Sequence, residues 1–215
     1  MKSFFQYITE DDIILSKAKT RSQAIPAYVR YEGPVDPERL KTKYDHVKTF
    51  RHGGKQYKLL STREEDIGDK VFRLAHVGND ESLTDVGTIG VMLSPKKELA
   101  HDRIQTQLNR KPKAISLEPT LHPEHAGSGL MSKIYRTIAQ HHGVDIISDN
   151  TQTRGSQKVW NELANTGRVR AVHVKGAFEP FSYDASNEDH VDKIYGDADR
   201  TAYGGENALL HYTHD

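Results

Sequence analysis

The stretch from Lys113 to Val174 constrains the fold more than any other part of the sequence. Its apolar spacing reads as a strand, a glycine-rich turn, a helix, a short strand, a second helix and a third strand. Ala114 to Leu121 is a strand interrupted by Pro119. Proline cannot donate to a ladder, so this strand must bulge, lie at an edge or part from a neighbour there. From Ser128 onward, Leu130, Met131, Ile134, Tyr135, Ile138 and Ala139 fall on one face at helical spacing. Gly143 ends that helix, and Val144 to Ser148 reads as a short buried strand. Val159, Trp160, Leu163 and Ala164 give the second helix its inward face, Gly167 is its natural C′ residue, and Arg168 to Val174 is the last clear strand. Strands alternating with helices demand packed layers with parallel pairing somewhere. A glycine-rich turn before an amphipathic helix also gathers backbone N–H groups at the positive helix end, a place to hold a phosphate.

The remainder is less patterned. Thr9 to Lys17 reads as a short helix and Ala27 to Tyr31 as a strand. Asp36-Pro37 starts a helix through Tyr44, with proline at the first helical position. Val47 to Ser61 reads as a hairpin around Gly53-Gly54, a pair that tolerates positive φ. Lys70 to Val77 and Val86 to Leu93 form a second strand pair, and Lys96 to Lys113 is charged and weakly helical. Beyond Gly176 the sequence turns acidic, aromatic and glycine-rich, which predicts an irregular tail docked by Phe178, Phe181, Tyr183 and Tyr195.

Composition narrows the function classes. At 215 residues the chain suffices for one domain with a real core. Lys+Arg and Asp+Glu both number 30, so nucleic acid is not indicated as a partner and a membrane surface is disfavoured. With no Cys, disulfides, thiolate zinc sites and cysteine nucleophiles are excluded. No apolar run approaches the roughly 18 residues needed to span a bilayer. The expected state is soluble and cytoplasmic.

The segment HPEHAGSGLMSKIY and the element order around it resemble the GNAT superfamily of N-acetyltransferases, across about residues 70–175. The resemblance implies an α/β (α+β) fold: a mixed central sheet flanked by helices, with N-terminal additions and an irregular C-terminal tail. The implied organisation is one domain over 1–175 and an extension over 176–215. Family members follow strand four with Q/R-x-x-G-x-G/A and then a helix, gripping the pyrophosphate of acetyl-CoA. The helix pattern places Ala126 at the first position, Gly129 at the central glycine and Met131 at the last. A second register, Glu124 with Gly127 and Gly129, fits the glycines but shifts the helix face. Backbone amides of Ala126, Gly127, Ser128, Gly129, Leu130, Met131 and Ser132 would hold the diphosphate, and Lys133 would add charge.

In the family, strands four and five splay apart and the pantetheine arm slots between them. The matching backbone here is Leu117, Thr120 and Leu121, with Asn150 and Thr153 at the cofactor edge beside Ser148 and Asp149. Acetyl transfer to an amine needs a base, and Glu118 is the carboxylate the resemblance offers. Its plainer role is a solvated strand Glu. Many members carry a Tyr that protonates the departing thiolate; the aligned residue is Trp160, whose indole cannot supply that proton and which reads as core. Of the 12 histidines, none form a HExxH pattern, so no metal is expected. His122 and His125 flank the turn as acid/base candidates.

The resemblance therefore implies an N-acyltransferase moving acetyl from acetyl-CoA to an unknown amine acceptor, protein or small molecule, in a monomer or oligomer. The departures at Ala126, Met131 and Trp160 motivate the alternative of a catalytically inactive GNAT-fold protein with a binding or structural role. The wording DNTQTRGSQKVWNELANTG is also similar to acetyltransferase-like proteins of bacteriophages. That would place the chain in the host cytoplasm or in a virion, interacting with a host protein or serving as a virion component.

Overall fold

A computed structural model describes residues 35–62, 69–92, 114–148, 154–173, 178–195 and 208–214, with backbone alone for 69, 92, 114–118 and 154. The expected helix at Thr9–Lys17, the strand at Ala27–Tyr31 and the Lys96–Lys113 segment up to Lys113 lie outside the described residues. The described part is mixed α+β.

Asp36 caps α1 (Pro37–Lys43): its carboxylate accepts from the Glu38 and Arg39 amides, and Pro37 occupies the first turn. Leu40 is the one side chain α1 buries completely. The hairpin follows as β1 (Tyr44–His52) and β2 (Lys55–Thr62), closed by Gly53 and Gly54 at φ 53° and 76°. Two consecutive positive φ values suit the right-handed twist of the flanking strands, and glycine adopts them without strain. Next come β3 (Asp69–Val77) and β4 (Leu83–Met92), antiparallel to each other.

Beyond these, β5 (Ala114–Leu121) leads through a short 3-10 turn, Pro123–His125, into α2 (Leu130–His142). The chain continues as β6 (Ile146–Ile147), α3 (Arg154–Ala164), β7 (Val169–His173), β8 (Phe181–Ser182), α4 (Glu188–Tyr195) and β9 (Ala208–Tyr212). The nine strands form one sheet in the order β1-β2-β3-β4-β5-β6-β9-β7-β8. Among the described residues its one parallel pairing is β5 with β6.

Pro119 acts as its chemistry requires. Gly90 pairs with Leu117 and Thr88 with Thr120, so Glu118 and Pro119 together oppose Ile89. This is a β-bulge, which absorbs the residue that cannot donate. On the other side, β5 pairs with β6 only at Ala114–Ile146 and Ile115–Ile147. From Ser116 to Leu121 the β6 side of β5 has no strand partner among the described residues.

The main core lies between one sheet face and α2, α3 and α4: Phe72, Leu74, Ile89, Ile134, Ile138, Trp160 and Leu210 are all buried there. Leu60, next to core residue Leu59, points to the opposite face because strand side chains alternate. It joins Leu40, Ala75 and Leu83 under α1. On that face the Arg73 guanidinium meets Asp85 at 3.0 Å, and the same carboxylate accepts from the Val35 amide at 2.9 Å.

The described C-terminal part is regular, against the expected irregular tail. β9 inserts between β6 and β7, with all five residues buried. Its acidic and glycine-rich surroundings mask a short run, Ala208 to Tyr212, apolar but for His211, whose full burial a strand position between two neighbours explains. Asp145 pins its end, accepting from His214 through the backbone amide at 3.3 Å and pairing with His214 Nδ1 at 2.8 Å and His211 Nε2 at 3.1 Å. The expected aromatic docking is present: Tyr183 is buried, and Phe178, Phe181 and Tyr195 pack against the main core.

Gly87 is the close-approach point between β4 and β5. A Cβ there would stand 2.6 Å from Leu121 Cδ2 and 2.7 Å from the Thr120 carbonyl oxygen. Since the second of these is backbone, Gly87→Ala is expected to cost about 1–3 kcal/mol of stability, measured by chemical denaturation. An unchanged midpoint would mean that the two strands separate more freely than their packing implies.

Candidate functional site

The site is assembled where β5 ends. Its exit is fixed by the His122 amide donating to the Val86 carbonyl at 2.7 Å, one residue before the 3-10 turn. Ala126 is extended, Gly127 sits at φ 72°, and Gly129 takes the N-cap of α2 at φ 76°, ψ 6°. Only glycine holds that left-handed geometry without cost, and it brings no side chain to cap the helix. No side-chain hydrogen bond caps α2, so the first-turn amides retain their donor capacity.

Two long-range contacts fix the turn. His52, at the β1–β2 tip, reaches the Ser128 carbonyl with Nε2 at 2.6 Å. A carbonyl can only accept, so Nε2 carries the proton. In a trans peptide the next N–H points away from the carbonyl, so this bond turns the Gly129 amide away from the hairpin. Lys133 Nζ donates to the Arg51 carbonyl at 2.8 Å and lies 5.2 Å over the Phe50 ring. The charge expected to serve the turn directly thus ties α2 to the hairpin tip.

Beneath the turn, His125 is buried and pairs with the Tyr57 hydroxyl at 2.9 Å. His76 and His122 stand nearby, at ring-centroid distances of 5.8 and 6.3 Å from His125. Burial, followed by Lys55, His76 and His122, pushes the His125 pKa below its ordinary value, against a smaller opposing effect of Glu124. The shift favours the uncharged imidazole, and burial leaves His125 little contact with solvent.

An unexpected residue lies across the mouth. Ser132 Oγ donates to Glu162 Oε2 at 2.7 Å, and that oxygen comes within 3.2 Å of the place a Cβ on Gly129 would occupy. A carboxylate from α3 thus sits at the positive end of α2.

Comparisons with protein-family models, curated proteins and solved structures return no match. The residues themselves carry the chemistry. Ala126, Gly127 and Ser128 are exposed, whereas Leu130, Met131 and Ser132 are buried, so these last three offer the site their backbone. Met131 faces the sheet with Ile134, Leu121 and Phe72 and leaves the outer side of the turn to others. Leu117, Thr120 and Leu121 pair with β4 and have no strand partner on the other side among the described residues, where the Thr120 hydroxyl is also buried without a hydrogen-bond partner. Glu118 falls in the bulge; its side chain lies outside the described residues, as do Asp149, Asn150 and Thr153 entirely.

Ser148 is committed to β9, donating from its amide to the Leu210 carbonyl and accepting from the Leu210 amide. Trp160 is core, its ring 5.9 Å from that of Tyr135. Tyr183 donates to Asn161 at 3.0 Å, and burial raises the pKa of both Tyr183 and Tyr195, which makes them poor proton donors. No group of His, Asp and Glu among the described residues could hold a metal ion. No described helix is long and apolar enough to cross a membrane.

The buried histidine has a stability signature. Its native pKa lies below the unfolded value near 6.5, so on acidification the unfolded chain takes up the proton first. The stabilisation is whole above about 6.5 and is lost as the pH falls from there through the depressed native value. His125→Gln, which keeps a polar partner for Tyr57, is expected to flatten this acid loss. Denaturant titrations of both chains at about pH 7.5 and about pH 5 measure the difference. His142, shifted in the same direction, contributes equally to both. Identical pH slopes would show that His125 is protonated as readily folded as unfolded.

Proposed function

We propose that the chain is a GNAT-like N-acyltransferase that transfers acetyl from acetyl-CoA to an amine acceptor. The observation that carries this reading is the length of β5 that has no strand partner on its β6 side among the described residues. A parallel strand pair held at Ala114–Ile146 and Ile115–Ile147 gives way to a β5 edge without a strand partner among the described residues. At the end of that edge lies an uncapped helix terminus behind Gly127 and Gly129. A pantetheine arm carries amide groups able to replace missing ladder partners, and a diphosphate suits amides at a helix start. Both requirements meet along one line, from Leu117 to Ser132.

In this reading the backbone of Leu117, Thr120 and Leu121 receives the arm. The amides from Ala126 to Ser132 receive the diphosphate, with His52 orienting the Gly129 amide through Ser128. Glu118, at the bulge, removes the proton from the incoming amine directly or through water as nitrogen attacks the thioester carbonyl. The C–S bond then breaks, acetyl leaves on nitrogen, and CoA departs as thiol once its sulfur is protonated. Trp160 cannot give that proton, so water supplies it.

A second reading keeps the fold and drops turnover, leaving a binding or structural component, in a virion or on a host target. Two observations favour it: the buried Trp160 in place of a proton donor, and the Glu162 carboxylate at the turn.

Calorimetric titration with acetyl-CoA separates the two. Saturable binding that Gly129→Asp abolishes, with an unchanged circular dichroism spectrum, supports the transferase. No heat at millimolar ligand favours the structural component. With an acceptor in hand, Glu118→Gln is expected to lower turnover about 100-fold or more. An unchanged rate would remove Glu118 from the mechanism.

A further inference from the structure

We propose that Glu162 sets the affinity of the glycine turn for its cofactor: resting on the acetyl-CoA reading above, its carboxylate is an internal anion that an incoming diphosphate must displace. α1 and α4 carry their own side-chain caps, since Asp36 accepts from the Glu38 amide and Asn187 from the Asp189 amide. α2 starts on Gly129 and has none. Glu162 reaches that start from a different helix. Oε2 accepts from Ser132 Oγ at 2.7 Å, and Oε2 and Oε1 stand 3.2 and 3.5 Å from the place a Cβ on Gly129 would occupy, over the face that glycine leaves bare.

The arrangement is stable but easily opened. A carboxylate is favoured at a helix N-terminus, where the aligned peptide dipoles leave partial positive charge. Yet Glu162 is solvent-exposed, and the Ser132 hydroxyl is its hydrogen-bond partner there. That hydroxyl has a substitute acceptor in the Gly129 carbonyl at 2.9 Å, so it stays satisfied when Glu162 swings out. A diphosphate brings more negative charge to the same helix start and repels the carboxylate at close range. Anions that cannot replace what Glu162 provides are turned away, while a diphosphate anchored by a pantetheine arm along β5 can displace it. Glu162 thereby biases the turn toward a large nucleotide cofactor over small inorganic anions.

The test is calorimetric titration of the full chain with CoA at fixed ionic strength. Wild type, Glu162→Gln and Glu179→Gln are compared, the last removing one exposed charge before β8. Glu162→Gln is expected to tighten CoA binding about tenfold, with Glu179→Gln near wild type. Binding by Glu162→Gln alone, with wild type silent, supports the proposal equally. CoA affinity equal in all three chains overturns it while the acetyl-CoA reading stands. An equal gain in both variants reduces the effect to net charge and also overturns it. Silence from all three chains at millimolar CoA overturns the proposal and the acetyl-CoA reading together.

Discussion

The structure depends on how β5 is shared between unlike neighbours. Toward β4 it runs a full antiparallel ladder, kept in register by letting Glu118 and Pro119 face Ile89 together. Toward β6 it is bound by two residue pairs. A strand paired firmly on one side and briefly on the other is stable, because the ladder and the core beneath it hold its shape. Among the described residues its remaining edge meets no other strand, so the backbone groups there are the ones a further partner would use. Gly87 lets the two strands close tightly at Leu121, and the His122–Val86 bond sets the direction in which the chain leaves.

From that exit the turn is held by parts remote in sequence. The tip of the β1–β2 hairpin contributes His52 and the Arg51 carbonyl, and α3 contributes Glu162. None of these residues is in the glycine-rich segment. The turn supplies permissive backbone, and its surroundings decide where its amides point and what charge they meet. A site of this kind is specified by tertiary structure even though its glycines are local.

This division explains what could be read from the sequence. The cap and proline of α1, the Gly53-Gly54 hairpin, the interruption at Pro119 and the apolar face of α2 all use signals within a few residues, and each appears where expected. The place of β9 is hard to read because four apolar residues and His211 amid acidic and glycine-rich sequence have no period that distinguishes a sheet strand from a docked tail. Glu162 and His52 act across 30 and 76 residues, separations at which spacing carries no information. Lys133, expected to add charge to the turn, spends it on the Arg51 carbonyl of the hairpin, a partner 82 residues away that local sequence does not reveal. Glu118 is positioned by the bulge through its backbone, and Asn150 and Thr153 lie outside the described residues.

The position of β9 has a consequence for how the molecule is made. β6 and β7 do not touch as a pair; each is completed by the strand that arrives after both. During synthesis the sheet must wait with an empty slot in its middle, and the ribosome has to release Tyr212 before that slot can be filled. Until then the apolar flanks at Ile146 and Val172 stand open to other chains. A chain of this design is most exposed to aggregation in the interval when β6 and β7 are already made and β9 has not yet joined them.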